Sequence, residues 1–119
     1  MTTQPITIEN GRVTIRPTAN EVWLTQSQIA DLFGVFSAAV NANIQAMLKS
    51  GVLHKDRVVL RIRCRNGNIV ERYGLELIVA LAFRLKSENA EVFRRWIVER
   101  ATPPAIVWKM PTSNNAKLN

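Results

Sequence analysis

Arg61, Arg63 and Arg65 alternate along one short stretch, and Arg72 follows beyond an Asn66-Gly67 pair. Alternate positions of a strand share a face. Guanidinium groups so placed suit phosphates along a groove, and each offers a planar, two-pronged contact to an anion. Pairing outward from a two-residue turn at Asn66-Gly67 puts Arg61, Arg63, Arg65 and Arg72 on one face, with Asn68 and Val70. Leu60, Ile62, Cys64, Ile69 and Tyr73 then share the apolar face with Glu71. In that register Arg61 faces Arg72. Like charges directly opposite one another destabilise a strand pair. An anionic partner is the simplest reason for such a pattern, and a solvated face on an exposed ribbon is the plain alternative.

A second group is polar without being strongly charged. Ser37, Asn41, Gln45 and Lys49 recur at intervals of four along a segment with helical periodicity. Residues so spaced share one helix face. Asn and Gln carboxamides match the donor and acceptor of adenine, and the intervening alanines can meet thymine methyl groups. The alanines are also simply good helix formers. Phe36 is expected to point away from the core, which is odd for a groove-binding element and leaves a protein contact or a buried corner open.

Catalytic chemistry is poorly supplied. The single histidine, His54, lies between Leu53 and Lys55 and reads as a solvent residue. Cys64 is the one cysteine, so no internal disulfide or cysteine cluster exists, and it reads as an inert core thiol. The acids are scattered, with no spacing for a carboxylate pair or a metal. The glycines at 34, 51, 67 and 74 are isolated, so no phosphate-cradling loop is formed. The expectation is a protein that is not an enzyme, with no cofactor and no metal.

Charge agrees with an anionic partner. Lys and Arg total 16 against 9 Asp and Glu, for a net charge of +7. Residues 1–54 carry three basic and three acidic residues, and residues 55–100 carry eleven and six. The excess therefore falls in the second half, where nucleic acid is a more natural partner than a membrane. No apolar run approaches the ~18 residues of a membrane span. Met1 to Pro5 has neither the basic nor the apolar region of a secretion signal. A cytoplasmic location and no membrane partner are expected.

The elements that must position these residues can be read in order. Ile6 to Arg16 alternates around Asn10-Gly11, the strongest short hairpin signal. Ile6, Ile8, Val13 and Ile15 share one face, and Thr7, Glu9, Arg12, Thr14 and Arg16 the other. Pro17 and Asn20 break the pattern, and Val22-Trp23-Leu24 is a short apolar run. Thr25 and Gln28 form a capping box for a helix from Gln26 to about Phe33. Gly34 stops it. A second helix runs from Ser37 to about Ser50 with Val40, Ile44, Met47 and Leu48 inward, and Gly51 ends it.

Ala30, Gly34, Val35, Val40 and Ile44 stand where a helix-turn-helix needs a small crossing residue, a turn glycine and aliphatic locks. Such a unit lays its second helix in the major groove, although the same motif also serves as a plain structural piece. The Val58–Tyr73 hairpin follows, then a nearly all-apolar helix over Leu75–Leu85 that includes Phe83. A last helix is capped by Ser87, with Val92, Phe93, Trp96 and Ile97 inward and Arg94, Arg95 and Arg100 outward. Pro103-Pro104 ends regular structure.

Glu21-Val22-Trp23-Leu24-Thr25-Gln26 followed by Ile29-Ala30-Asp31-Leu32-Phe33-Gly34-Val35 resembles the N-terminal region of the RhuM family of bacterial virulence-associated proteins. Val70-Glu71-Arg72-Tyr73, Ile78, Phe93-Arg94 and Trp96 are similar to that family's next block. The resemblance spans residues 20–100 or so. It implies a DNA-binding protein linked to virulence and mobile elements. Where relatives carry a polar run after the turn, this chain has Phe36-Ser37-Ala38-Ala39, then Asn41-Ala42-Asn43.

The expected fold is α+β. It is a winged helix-turn-helix-like domain over residues 1–102, with an N-terminal hairpin, a basic hairpin wing and two C-terminal helices. Residues 103–119 form a tail. The expected function is duplex DNA binding of transcription-regulator type. Arg61, Arg63, Arg65 and Arg72 hold the backbone, while Ser37, Asn41, Gln45 and Lys49 approach the groove. The alternative is a protein-interaction module on the same scaffold, using Phe36, the alanine-rich face and Ile106-Val107-Trp108. A homodimer through that tail is a further expectation.

Overall fold

Two strands, β1 (Ile6–Glu9) and β2 (Arg12–Ile15), form the first hairpin in the computed structural model, which describes residues 5–16 and 22–102. Ile6 pairs with Ile15 and Ile8 with Val13. Asn10 and Gly11 have φ of 53° and 71°, the two left-handed residues that a type I′ turn requires. Ile6 and Val13 are buried, and Ile8 and Ile15 pack against the same core. The expectations for Pro17, Asn20, Pro103-Pro104 and the Ile106-Val107-Trp108 tail lie outside the described residues.

The first helix, α1 (Gln26–Phe33), starts on a complete capping box. The Thr25 hydroxyl accepts from the Gln28 amide at 3.1 Å, and the Gln28 side chain accepts from the Thr25 amide at 2.8 Å. Its end is a Schellman turn: Gly34 donates to the Asp31 carbonyl and Val35 to the Ala30 carbonyl, with Gly34 at φ 67°. Three residues, Gly34 to Phe36, then connect to α2 (Ser37–Ser50). Val40, Ile44 and Met47 bury its inner face.

Two short elements were not foreseen. Trp23–Leu24 is a strand, β3. Residues Lys55–Val58 form a single helical turn, α3, which buries Val58. Strands β4 (Val59–Arg63) and β5 (Ile69–Gly74) complete a three-stranded antiparallel sheet of order β3-β5-β4.

The β4–β5 register differs from the expected one by a single residue. Leu60, not Arg61, pairs with Arg72, and Arg61 pairs with Glu71. The physical cause lies in the turn. The Gly67 amide donates to the Cys64 carbonyl at 3.0 Å, and the Cys64 amide to the Asn68 carbonyl at 2.7 Å. The Asn66 side chain accepts from the Asn68 amide at 2.9 Å. That local bond suits Asn66 in an ordinary turn conformation and leaves the positive φ to Gly67 alone, at 89°. The loop is therefore three residues long, with the bulge such loops carry. A one-residue slip moves every β5 side chain to the other face.

Two helices close the core, α4 (Leu75–Ala82) and α5 (Glu88–Ala101). Leu77, Ile78, Leu81 and Ala82 are fully buried, as expected of a central helix. The helix is shorter than its apolar run, and Phe83 turns outward at its end, 53% exposed. Ser87 caps α5 by accepting from the Ala90 amide at 3.1 Å. Phe93 meets Phe33 edge-on at 5.6 Å and stacks on Trp96 at 5.8 Å. The fold is thus α+β, with five helices and two small antiparallel sheets among the described residues.

Candidate nucleic-acid interface

The exposed face of α2 carries Ser37, Ala38, Asn41, Ala42, Gln45, Ala46 and Lys49. The inner face is fixed by buried aliphatic residues, so these side chains have no freedom to rotate into the core. Gln26, the first residue of α1, donates its amide to the Ser37 hydroxyl at 2.7 Å and to the Ser37 carbonyl at 3.1 Å. That bond ties the start of α1 to the start of α2. Nothing in the sequence pattern singled out Gln26, because its partner lies eleven residues away across the turn.

An open crevice lies between these helix starts and the second sheet. Thr25, Gln26, Ser27 and Ser37 line it from the helices. Arg61, Ile69, Glu71 and Tyr73 line it from the hairpin. Ser37 and Arg61 therefore line one crevice. The pairing register puts Arg63 on the strand face of Arg61, with Ile69 as its partner. Arg65 lies in the turn at the tip and is exposed.

Arg72 is not part of this surface. The register places it beside Leu60, on the opposite face of the hairpin from Arg61 and Arg63. Of the expected stripe of four arginines, Arg61 and Arg63 share a strand face and Arg65 lies in the turn beyond it, and Glu71 lies beside Arg61 rather than behind it. Arg61 Nε stands 3.7 Å from a Glu71 carboxylate oxygen. Tyr73 donates its hydroxyl to the other oxygen at 3.2 Å. Burial raises the Tyr73 pKa above 10.0, and the Glu71 charge and this hydrogen bond raise it further.

The other hairpin face is not core. Leu60 and Ile62 are exposed, and Cys64 is half-buried rather than enclosed. His54 is exposed, and its carbonyl accepts from Arg57 and Val58 at the start of α3. No group of three or more His, Cys, Asp or Glu among the described residues is placed to hold a metal. No helix of the described residues is long and apolar enough to cross a membrane.

The net charge is also less free than its count. Arg94 was expected on the polar side of its helix. It instead donates Nη1 to the Ala82 and Leu85 carbonyls, at 2.7 and 3.0 Å. There it satisfies the last carbonyl of α4 and one in the connection that follows. Arg57 pairs with Glu76 and Arg95 with Glu91. Arg100 sits over the Trp96 ring at 5.0 Å. Lys49, Arg63, Arg65 and Arg72 make no ion pair among the described residues. Comparison with protein-family models, curated proteins and solved structures finds no match to this chain.

Proposed function

We propose that this protein binds duplex DNA as a transcription-regulator-type module on a winged helix-turn-helix-like frame. In this reading α2 enters the major groove and the β4–β5 hairpin is the wing. One observation carries it: Ser37, at the tip of α2, and Arg61, on the hairpin, line the same crevice. A groove-sized helix and a cationic ribbon are then parts of one surface. Arg61, Arg63 and Arg65 would hold phosphates, and Asn41 and Gln45 would meet base edges. Arg72 is left out of the contact set. The RhuM resemblance supports the same reading from the sequence side.

The test is titration of the full chain on random duplex DNA at several salt concentrations. Three wing arginines and Lys49 neutralise about four phosphates, so log affinity should fall with log salt at a slope of roughly −3.5. A slope near zero, or no binding at low salt, removes the proposal. Replacing Arg63 and Arg65 by Ala should weaken all duplexes alike. Replacing Asn41 should instead relax sequence preference.

A further inference from the structure

The exposed face of α2 has an unusual chemistry for a DNA-facing helix. Before Lys49 in its last turn it carries no cation. Phe36, the residue that opens the helix, is 86% exposed and makes no side-chain capping bond. Ser, Thr, Asp or Asn at that position would satisfy a free amide. The backbone that carries the ring is nevertheless held at a fixed place. The Schellman turn sets the chain on one side of it, and the Phe36 carbonyl accepts from Ala39 and Val40 at 3.0 and 3.3 Å on the other. Gly34, Val35 and Ala39 extend a mainly apolar lip around it.

Resting on the DNA reading above, we infer that this surface selects A·T pairs, with Phe36 as a thymine-methyl reader at the tip of α2. Thymine alone among the four bases shows a methyl group in the major groove, and Phe and Ala are side chains that meet it. Adenine shows the acceptor and donor that a carboxamide matches. Guanine calls for Arg or Lys, and the first three turns of α2 hold neither. Ala38 and Ala42 flank Asn41 on the exposed face, and Gln45 stands one turn on from Asn41. The Gln45 amide approaches the Asn41 oxygen at only 3.5 Å, a bond weak enough to yield to a base. The wing supplies the charge that holds any duplex, and the helix supplies the preference.

The experiment compares three duplexes of equal length at one salt concentration. The first contains only A·T pairs, the second the same sequence with uracil for every thymine, and the third only G·C pairs. Uracil keeps the pairing and removes the methyl. The chain should bind the thymine duplex tighter than the uracil duplex by about fourfold for each methyl contact, and the G·C duplex more weakly still. Phe36→Ala should narrow the thymine–uracil gap, and lower affinity for the thymine duplex by more than for the G·C duplex. Its exposure means the variant keeps its fold. Equal binding to thymine and uracil duplexes overturns the inference while DNA binding stands. Binding to none of the three overturns the DNA reading itself, and this inference with it.

Discussion

Arg61 and Glu71 are cross-strand partners, and their charged atoms stand 3.7 Å apart in the crevice beside α2. On the proposed DNA surface, a carboxylate would oppose phosphate. Glu71→Gln should therefore tighten duplex binding by about fivefold at low salt, from the roughly 1 kcal/mol that a unit charge at 4 Å exerts in water. The salt slope should stay near the proposed value, because Arg61 already counts among the four phosphate contacts. Fluorescence anisotropy on a labelled random duplex measures both. Unchanged affinity would separate this crevice from the DNA surface.

Tyr73 is the only tyrosine, so phenolate absorbance reports it alone. Its midpoint should lie above 10.0, because burial and Glu71 both disfavour the phenolate. Glu71→Gln should bring the midpoint down. The raised folded value means the native state holds its proton more tightly than the unfolded chain. That stability is fully present below pH 10 and is lost as pH rises through the folded pKa. Tyr73→Phe should therefore flatten the alkaline loss of stability, read as urea midpoints across that range.

The parts legible in the sequence are those with local causes. Thr25 and Gln28 announce α1 because both capping bonds span three residues. Asn10-Gly11 announces its hairpin because both left-handed conformations fall within the pair. The second Asn-Gly pair misleads for an equally physical reason. The side chain of Asn66 bonds the amide of Asn68, lengthens the loop and turns Arg72 away from Arg61. The two-residue strand Trp23–Leu24 is invisible in the sequence, since it exists only by pairing with Gly74 and Tyr73. Of the candidate site, the α2 face followed from helical spacing, whereas the hairpin face depended on a register that composition does not encode.

Gly34 holds the turn between the two helices at φ 67°, and a Cβ there would meet nothing within 4 Å. The penalty for Gly34→Ala is therefore one of backbone conformation alone, about 1–2 kcal/mol. Urea denaturation should show a lower midpoint with an unchanged slope. A neutral result would mean that the turn relaxes without loss.

Arg94 tests the division between structural and binding charge. Arg94→Met keeps much of the apolar stem and removes the bonds to the Ala82 and Leu85 carbonyls. It should cost about 2 kcal/mol of stability. Because that guanidinium is committed within the fold, the salt dependence of DNA binding should not change. A shallower slope in the variant would contradict this assignment.

Strand β4 lies at the margin of its sheet, with one row of backbone amides and carbonyls unmatched by any neighbouring strand among the described residues. Such a margin invites another copy to add itself, and charged side chains along it are a common deterrent. Arg61 and Arg63 are also side chains assigned to phosphate, so neutralising them disarms a guard as well as a contact. Variants lacking both charges will tend to self-associate beside the exposed Leu60 and Ile62, and light scattering belongs alongside any affinity measured on them.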